Sequence, residues 1–137
     1  MRVRALAPAD AASWLRMRQA LWPDSEVHEV TDFFAGKLEE PQAVLVAELD
    51  SALIGFVELS VRSPPRVGYL EGWYVEPEHR RRGVGRALVA AAEDWARGQG
   101  CKEFGSDTQL WNDESAAAHK ALGFTEVEQL RMFRKSL

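Results

Sequence analysis

Residues 79–86, His-Arg-Arg-Arg-Gly-Val-Gly-Arg, gather four arginines and a histidine around two glycines. The strand-like stretch YLEGWYVEPE precedes them and the helix-like stretch ALVAAAEDWARGQG follows. A helix N-terminus exposes backbone N–H groups without intrahelical partners and carries partial positive charge. Glycine lets an anion approach that backbone closely, and arginines add charge-assisted hydrogen bonds. The arrangement suits a phosphate or pyrophosphate, with a solvated charge run as the plainer alternative. A P-loop needs Gly-Lys-Ser/Thr, which is absent. A dinucleotide fingerprint needs a third glycine where Leu88 stands, and it follows its strand directly, whereas EPEHRR intervenes here.

A second set of residues could face a cationic ligand. Glu71 sits mid-strand beside Gly72, an odd place for a carboxylate unless it faces a polar cavity. Asp107 ends a later strand. A carboxylate can bind an ammonium and, directly or through water, take its proton. Several residues have plainer readings: Glu128 as a solvent-facing strand residue, Trp22 as helix-end packing, and His119 as a packing or cap histidine. Glu26 and Glu29 form an acidic rim or serve no ligand, and His28 and His79 read as surface residues. No Cys or carboxylate stands at ligand spacing around the histidines, so no metal site is expected.

The elements that must position these residues follow from periodicity and punctuation. A short strand at 3–6 leads to a helix opened by Pro8-Ala-Asp, running to about Leu21 and stopped by Pro23. Residues 24–30 read as a polar segment, and Thr31 to Glu40 as a second short helix carrying Phe33, Phe34 and Leu38. The period then changes to that of strands: 43–49 and 52–61, parted by Asp50-Ser51, form a hairpin, and 67–75 adds a third strand. Residues 84–98 are a helix with Val84, Leu88, Ala92 and Trp95 on one face. The strand at 101–107 is reached through that crossover and should lie parallel to 67–75. A helix at 113–122 is capped by Asn112 or Asp113 and ended by Gly123, and 124–135 returns as strand. The expected class is α+β (mixed α/β): one mixed sheet of about six to seven strands flanked by four helices, in one domain spanning 1–137.

Composition bounds the function. The chain has 137 residues, 46% of them hydrophobic, which is enough for a single core. The net charge of −4 disfavours nucleic acid as a partner and suits a cationic ligand. Cys101 is the only cysteine, so no internal disulfide forms and a reducing compartment is expected. The N-terminus lacks the apolar segment of a signal peptide, and no run of about 18 apolar residues appears, so a soluble cytoplasmic protein without a membrane partner is expected.

Arg80-x-x-Gly83-x-Gly85 after YVEPEHR resembles the phosphate motif of the GNAT superfamily of acyl-CoA-dependent N-acetyltransferases. The resemblance covers the whole chain and its element order. It extends to that family's second signature, here Asn112, His119 and Gly123-Phe124. It implies acetyl-CoA as cofactor. The pyrophosphate would lie on the loop of Arg80, Arg81, Arg82, Gly83, Val84, Gly85 and Arg86. The pantetheine arm would lie between splaying strands at 69–75 and 102–107, touching Trp73, Tyr74, Val75 and Asn112. The family often has Tyr where His119 stands, in reach of the leaving thiolate, so His119 or a water would supply that proton.

Four stretches, QALWPD, LEGWYV, GSDTQLWND and ALGFTEVEQLRMFRK, look like short single-domain aminoglycoside 6'-N-acetyltransferases. That likeness implies an acceptor site of Trp22, Glu71, Asp107 and Glu128, with Glu71 and Asp107 as candidate bases and strand amides near Trp73 to Val75 polarising the acetyl carbonyl. Direct transfer in a ternary complex is expected, since Cys101 falls at the start of its strand, away from the expected thioester. Other acceptors stay open: a polyamine, an amino sugar, a protein lysine or an N-terminus. So does a non-catalytic acyl-CoA-binding domain. The apolar last strand leaves the oligomeric state open between monomer and homodimer.

Overall fold

A computed structural model describes all residues from Met1 to Leu137. The chain divides into two compact units, Met1–Ser106 and Asp107–Leu137. The first unit holds a five-stranded sheet in the order β1-β2-β3-β4-β5: β1 Arg2–Ala5, β2 Ala43–Leu49, β3 Ala52–Arg62, β4 Val67–Val75 and β5 Phe104–Ser106. It also holds helices α1 Ala11–Leu21, α2 Val27–Phe34 and α3 Val84–Gly98. The second unit holds α4, Asp113–Ala121.

Strands β1 to β4 pair antiparallel, and β5 joins β4 in parallel through α3, as a crossover requires. The β2–β3 hairpin turns through Asp50 and Ser51, both at positive φ (50° and 66°), the backbone that suits a tight hairpin. On one face of the sheet Trp14, Met17, Val30, Val46, Phe56 and Tyr74 form a buried cluster. Trp14 meets Phe33 edge to face at 5.1 Å. On the other face α3 buries Val84, Leu88, Val89, Ala92 and Ala96. Truncating fully buried Leu88 to Ala would cost about 2–5 kcal/mol.

Two irregularities shape the centre of the sheet. Glu58 pairs with Gly72 and Leu59 with Leu70, so Glu71 has no partner in the register. This extra residue is a β-bulge, which re-aims side chains. Gly68 and Leu70 therefore share a face with α3, while Gly72 and Tyr74 turn to the α1 face: a Cβ on Gly68 would meet Ala96 at 2.6 Å, and one on Gly72 would meet Trp22 at 2.4 Å. The β4–β5 ladder runs only from Gly68↔Phe104 to Leu70↔Ser106, so β4 beyond Leu70 has no ladder partner in β5.

The expected fold holds, with three corrections. The sheet has five strands rather than six to seven, because residues 124–137 form neither helix nor strand. A strand is defined by a partner that takes its N–H and C=O groups, and the apolar residues of 124–135 do not by themselves supply one. Strand β5 covers three residues of the expected 101–107. Helix α2 occupies Val27–Phe34 instead of 31–40. Its start is set by Glu26 at the N-cap, whose backbone N–H donates to Glu29 Oε1 at 2.7 Å, in a capping box.

Candidate active site

The basic loop folds as its sequence suggests. A short 3₁₀ turn at Pro77–His79 leads to Gly83, the N-cap of α3, at φ +84°. This left-handed backbone favours glycine. Open space surrounds the position a Cβ would take on Gly83. With no side chain at the N-cap, the first amides of a 15-residue helix have no side-chain acceptor. Arg81 also takes positive φ, 62°. Arg81, Arg82 and Arg86 are exposed, while Arg80 turns back, its Nε donating to the Val75 carbonyl at 2.8 Å. Gly85 lets α3 sit close to the Trp73 indole: a Cβ there would fall 3.2 Å from the ring. An anion-ready helix end thus stands one short loop from the β4 segment without a β5 partner, a cradle that fits a pyrophosphate and an extended arm.

Trp22 and Glu71 come together. Both line an open cleft of about 330 Å³ with Arg18, Glu29, Leu38, Glu40, Pro41 and Glu58. A smaller hollow of about 200 Å³ shares Arg18, Trp22 and Glu29 and adds Asp24 and Ser25. Trp22 is the first residue past α1 and has extended backbone. The bulge brings Glu71 into the cleft, where Arg62 Nη2 holds its carboxylate at 3.0 and 3.2 Å. Arg62 also lies over the Tyr69 ring at 3.4 Å. Four carboxylates outnumber the two guanidiniums that meet them, Arg18 in the lining and Arg62 on Glu71, so the cleft still suits a cation, and the indole offers an apolar face to a sugar ring.

Arg18, Glu40 and Glu58 escaped the sequence reading, although signals for two of them existed. Glu58 interrupts the apolar strand ALIGFVELSV, as Glu71 interrupts its own, and it lies opposite Gly72. It is 3% exposed, and burial pushes its carboxyl above the ordinary carboxylate range despite the opposing pull of Arg18 and Trp14. Arg18 stands four residues after Trp14 and four before Trp22, spacing that stacks a guanidinium between two indoles. Glu29 is held below the ordinary range, mainly by the Glu26 backbone N–H, with Arg18 adding to it.

The remaining candidates belong to the second unit. Asp107 is its first residue and is exposed. Asn112 caps α4, its Oδ1 accepting from Ser115 N–H at 3.0 Å. His119 Nδ1 lies 2.7 Å from the Ser115 carbonyl, an acceptor that assigns the hydrogen to Nδ1 in the neutral ring. The ring meets Phe124 edge to face at 5.2 Å, so the packing role is present in the fold. Gly123, at φ +93°, ends the helix as expected. Glu128 lies exposed in the segment without regular structure. Cys101 is buried just ahead of β5. No His, Cys, Asp and Glu cluster suited to a metal ion is present, and no helix is long and apolar enough to cross a membrane.

Comparison with known proteins agrees with this geometry. The profile of the Acetyltransferase (GNAT) family matches residues 9–124. The chain is 53% identical over 146 aligned positions to "Aminoglycoside N(6')-acetyltransferase type 1" of Klebsiella aerogenes, covering 98% of this chain and 96% of that protein. Among solved structures it superposes on the 6'-N-acetyltransferase AAC(6')-Ig of Acinetobacter haemolyticus with a TM-score of 0.87 at 36% identity, covering 100% and 99% of the two chains. It superposes on AAC(6')-Iy bound to the bisubstrate analogue CoA-S-monomethyl-acetylneamine with a TM-score of 0.88 at 31% identity, covering 99% and 98%. The chain belongs to the GNAT acetyltransferase family.

Proposed function

We infer that this protein transfers the acetyl group of acetyl-CoA to the 6'-amine of aminoglycoside antibiotics, a drug modification that confers resistance. The observation that carries the acceptor half is the cleft where Trp22 and the bulged Glu71 meet among further carboxylates. Aminoglycosides are polyhydroxylated polycations, and carboxylates hold their ammonium groups by charge-assisted hydrogen bonds. The near full-length identity to a named 6'-acetyltransferase, and the likeness to an enzyme solved with CoA and an aminoglycoside joined in one ligand, support the same reading.

When bound, acetyl-CoA supplies the thioester. Residues Arg80 to Arg86 would hold its pyrophosphate, mainly through backbone amides at the start of α3, and the β4 edge from Trp73 to Val75 would take the pantetheine arm, joined by Asn112. An ammonium has no lone pair for attack, so the acceptor must first lose a proton. Glu71 and Asp107 are the proposed acceptors of that proton, and Glu128 joins them in holding the drug. Amides of Trp73 to Val75 would steady charge on the carbonyl oxygen. His119 or a water would return a proton to the thiolate. Transfer is direct, and Cys101, buried before β5, takes no acetyl group.

Three further properties go with this activity. Residues 1–137 act as one catalytic domain. The protein works in the cytoplasm, where acetyl-CoA is made. It pairs as a homodimer, in which a second copy covers the exposed Val127, Met132 and Phe133; sedimentation at micromolar concentration tests this. Activity is tested with a matched pair of aminoglycosides, one with a 6'-amine and one with a 6'-hydroxyl. The amine should be acetylated and the hydroxyl compound should inhibit competitively, because a neutral hydroxyl needs a stronger base than a carboxylate. Salt should weaken both. Turnover of spermidine or peptides but of neither drug would leave only the acetyltransferase chemistry.

A further inference from the structure

Arg18 sits on the buried face of α1 beside Trp14 and Met17, only 8% exposed. A guanidinium taken out of water is costly unless its N–H groups are satisfied. Three elements satisfy this one. Nη1 donates to Glu58 Oε2 of β3 at 2.5 Å, Nη2 to Glu29 Oε2 of α2 at 3.1 Å, and Nε to Ser25 Oγ of the connecting turn at 3.0 Å. Its planar group lies 5.3 Å from the Trp14 ring centre and 4.9 Å from that of Trp22. An apolar side chain would fill this place at lower cost, so the network calls for a use beyond packing.

Trp22 supplies that use. At the C-cap its backbone turns extended while its N–H still donates to the Arg18 carbonyl, so α1 anchors the main chain and the indole's plane depends on what surrounds it. The ring is bounded by Gly72, by the edge of Phe56 at 6.3 Å, and by Arg18. We propose that Arg18 is a positioning residue for the acceptor cleft: gripped by Glu58, Glu29 and Ser25, its guanidinium sets the plane of Trp22 against Gly72 and engages two of the four cleft carboxylates. Glu71 and Glu40, outside its grip, then face the cationic ligand. The proposal rests on the aminoglycoside reading only for the identity of the acceptor.

Two variants test it. Arg18→Lys keeps the charge that Glu58 needs and loses the planar fork. The double variant Arg18→Met, Glu58→Gln removes both charges together, so that no buried ion is left alone. Each should raise the acceptor KM about tenfold while the acetyl-CoA KM and kcat stay within about twofold. A role in the fold alone would instead lower the melting temperature and leave the KM of the surviving enzyme unchanged. Acrylamide quenching of Trp22, taken as the difference between each protein and its Trp22→Phe counterpart, should increase in both variants. Unchanged quenching in both variants overturns the proposal, as does increased quenching with an unmoved acceptor KM. If the parent acetylates no amine, the acceptor assignment fails by itself and the quenching decides for Arg18.

Discussion

Trp22 lies directly on the backbone of Gly72: a Cβ added there would fall 2.4 Å from one ring carbon and 3.0 Å from the next. No side chain fits without moving the indole. Gly72→Ala should therefore displace Trp22 and raise the acceptor KM about tenfold, with the acetyl-CoA KM little changed. Steady-state kinetics with each substrate varied in turn checks the split. A rise confined to acetyl-CoA would show that this glycine serves the cofactor instead.

Gly83 carries the cofactor prediction. Its φ of +84° is strained for any side chain, and a branched one would also crowd the α3 amides. Gly83→Val should raise the acetyl-CoA KM strongly. Calorimetric titration of the folded variant with CoA checks it, and unchanged affinity would remove the loop from the cofactor site. Gly83→Ala should show a smaller effect of the same sign.

How much of this was legible follows from how local each signal is. Strands β2, β3 and β4 could be read because β-branched runs and the Asp50-Ser51 turn are local. So could α3, with its apolar stripe and glycine-punctuated start. Helix α2 was misplaced because Thr31 resembles an N-cap, whereas its hydroxyl donates to the Val27 carbonyl inside the helix. The cap is a Glu26–Glu29 box, without the usual Ser or Thr. The last strand was misread because the apolar residues of 124–135 say nothing about a pairing partner. The bulge that turns Glu71 into the cleft depends on the register with β3, which no window of β4 sequence contains. Glu58 shows in the sequence as a break in an apolar run, but only that register sets it opposite Gly72.

The fold should lose stability in acid through the Arg4–Asp10 pair. Arg4 Nη1 and Nη2 hold the two Asp10 oxygens at 2.7 and 3.0 Å, and the Ala7 N–H donates to Oδ2 at 2.8 Å. Arg4, first among these causes, keeps the Asp10 carboxyl below its ordinary value. A carboxyl depressed on folding contributes stability above its unfolded pKa, and that contribution is lost as pH falls through the folded value. Asp10→Asn should therefore be less stable than the parent at about pH 7, with the gap closing toward about pH 3. Urea unfolding across that range checks it, and a gap independent of pH would assign the loss to shape rather than charge.

Glu71 and Asp107 share the proposed task of proton acceptor from different places in the fold. Glu71 is fixed by a bulge, lines the cleft with Trp22 and is held by Arg62. Asp107 follows the last residue of β5 and opens the second unit. Glu71→Gln and Asp107→Asn keep shape and remove charge. At least one should lose tenfold or more in kcat/KM for the amine, about 1.4 kcal/mol of transition-state stabilisation, with acetyl-CoA affinity unchanged. A base shows itself in the pH profile: the variant that removes it should lose the acidic limb of kcat/KM, whereas loss of a binding carboxylate lowers the whole curve by a constant factor. Arg62→Ala separates the roles further. It frees Glu71 from its guanidinium partner, so it should lower the acceptor KM if Glu71 chiefly binds the ammonium. If both carboxylate variants acetylate the amine at the parent rate, the cationic pocket lies elsewhere.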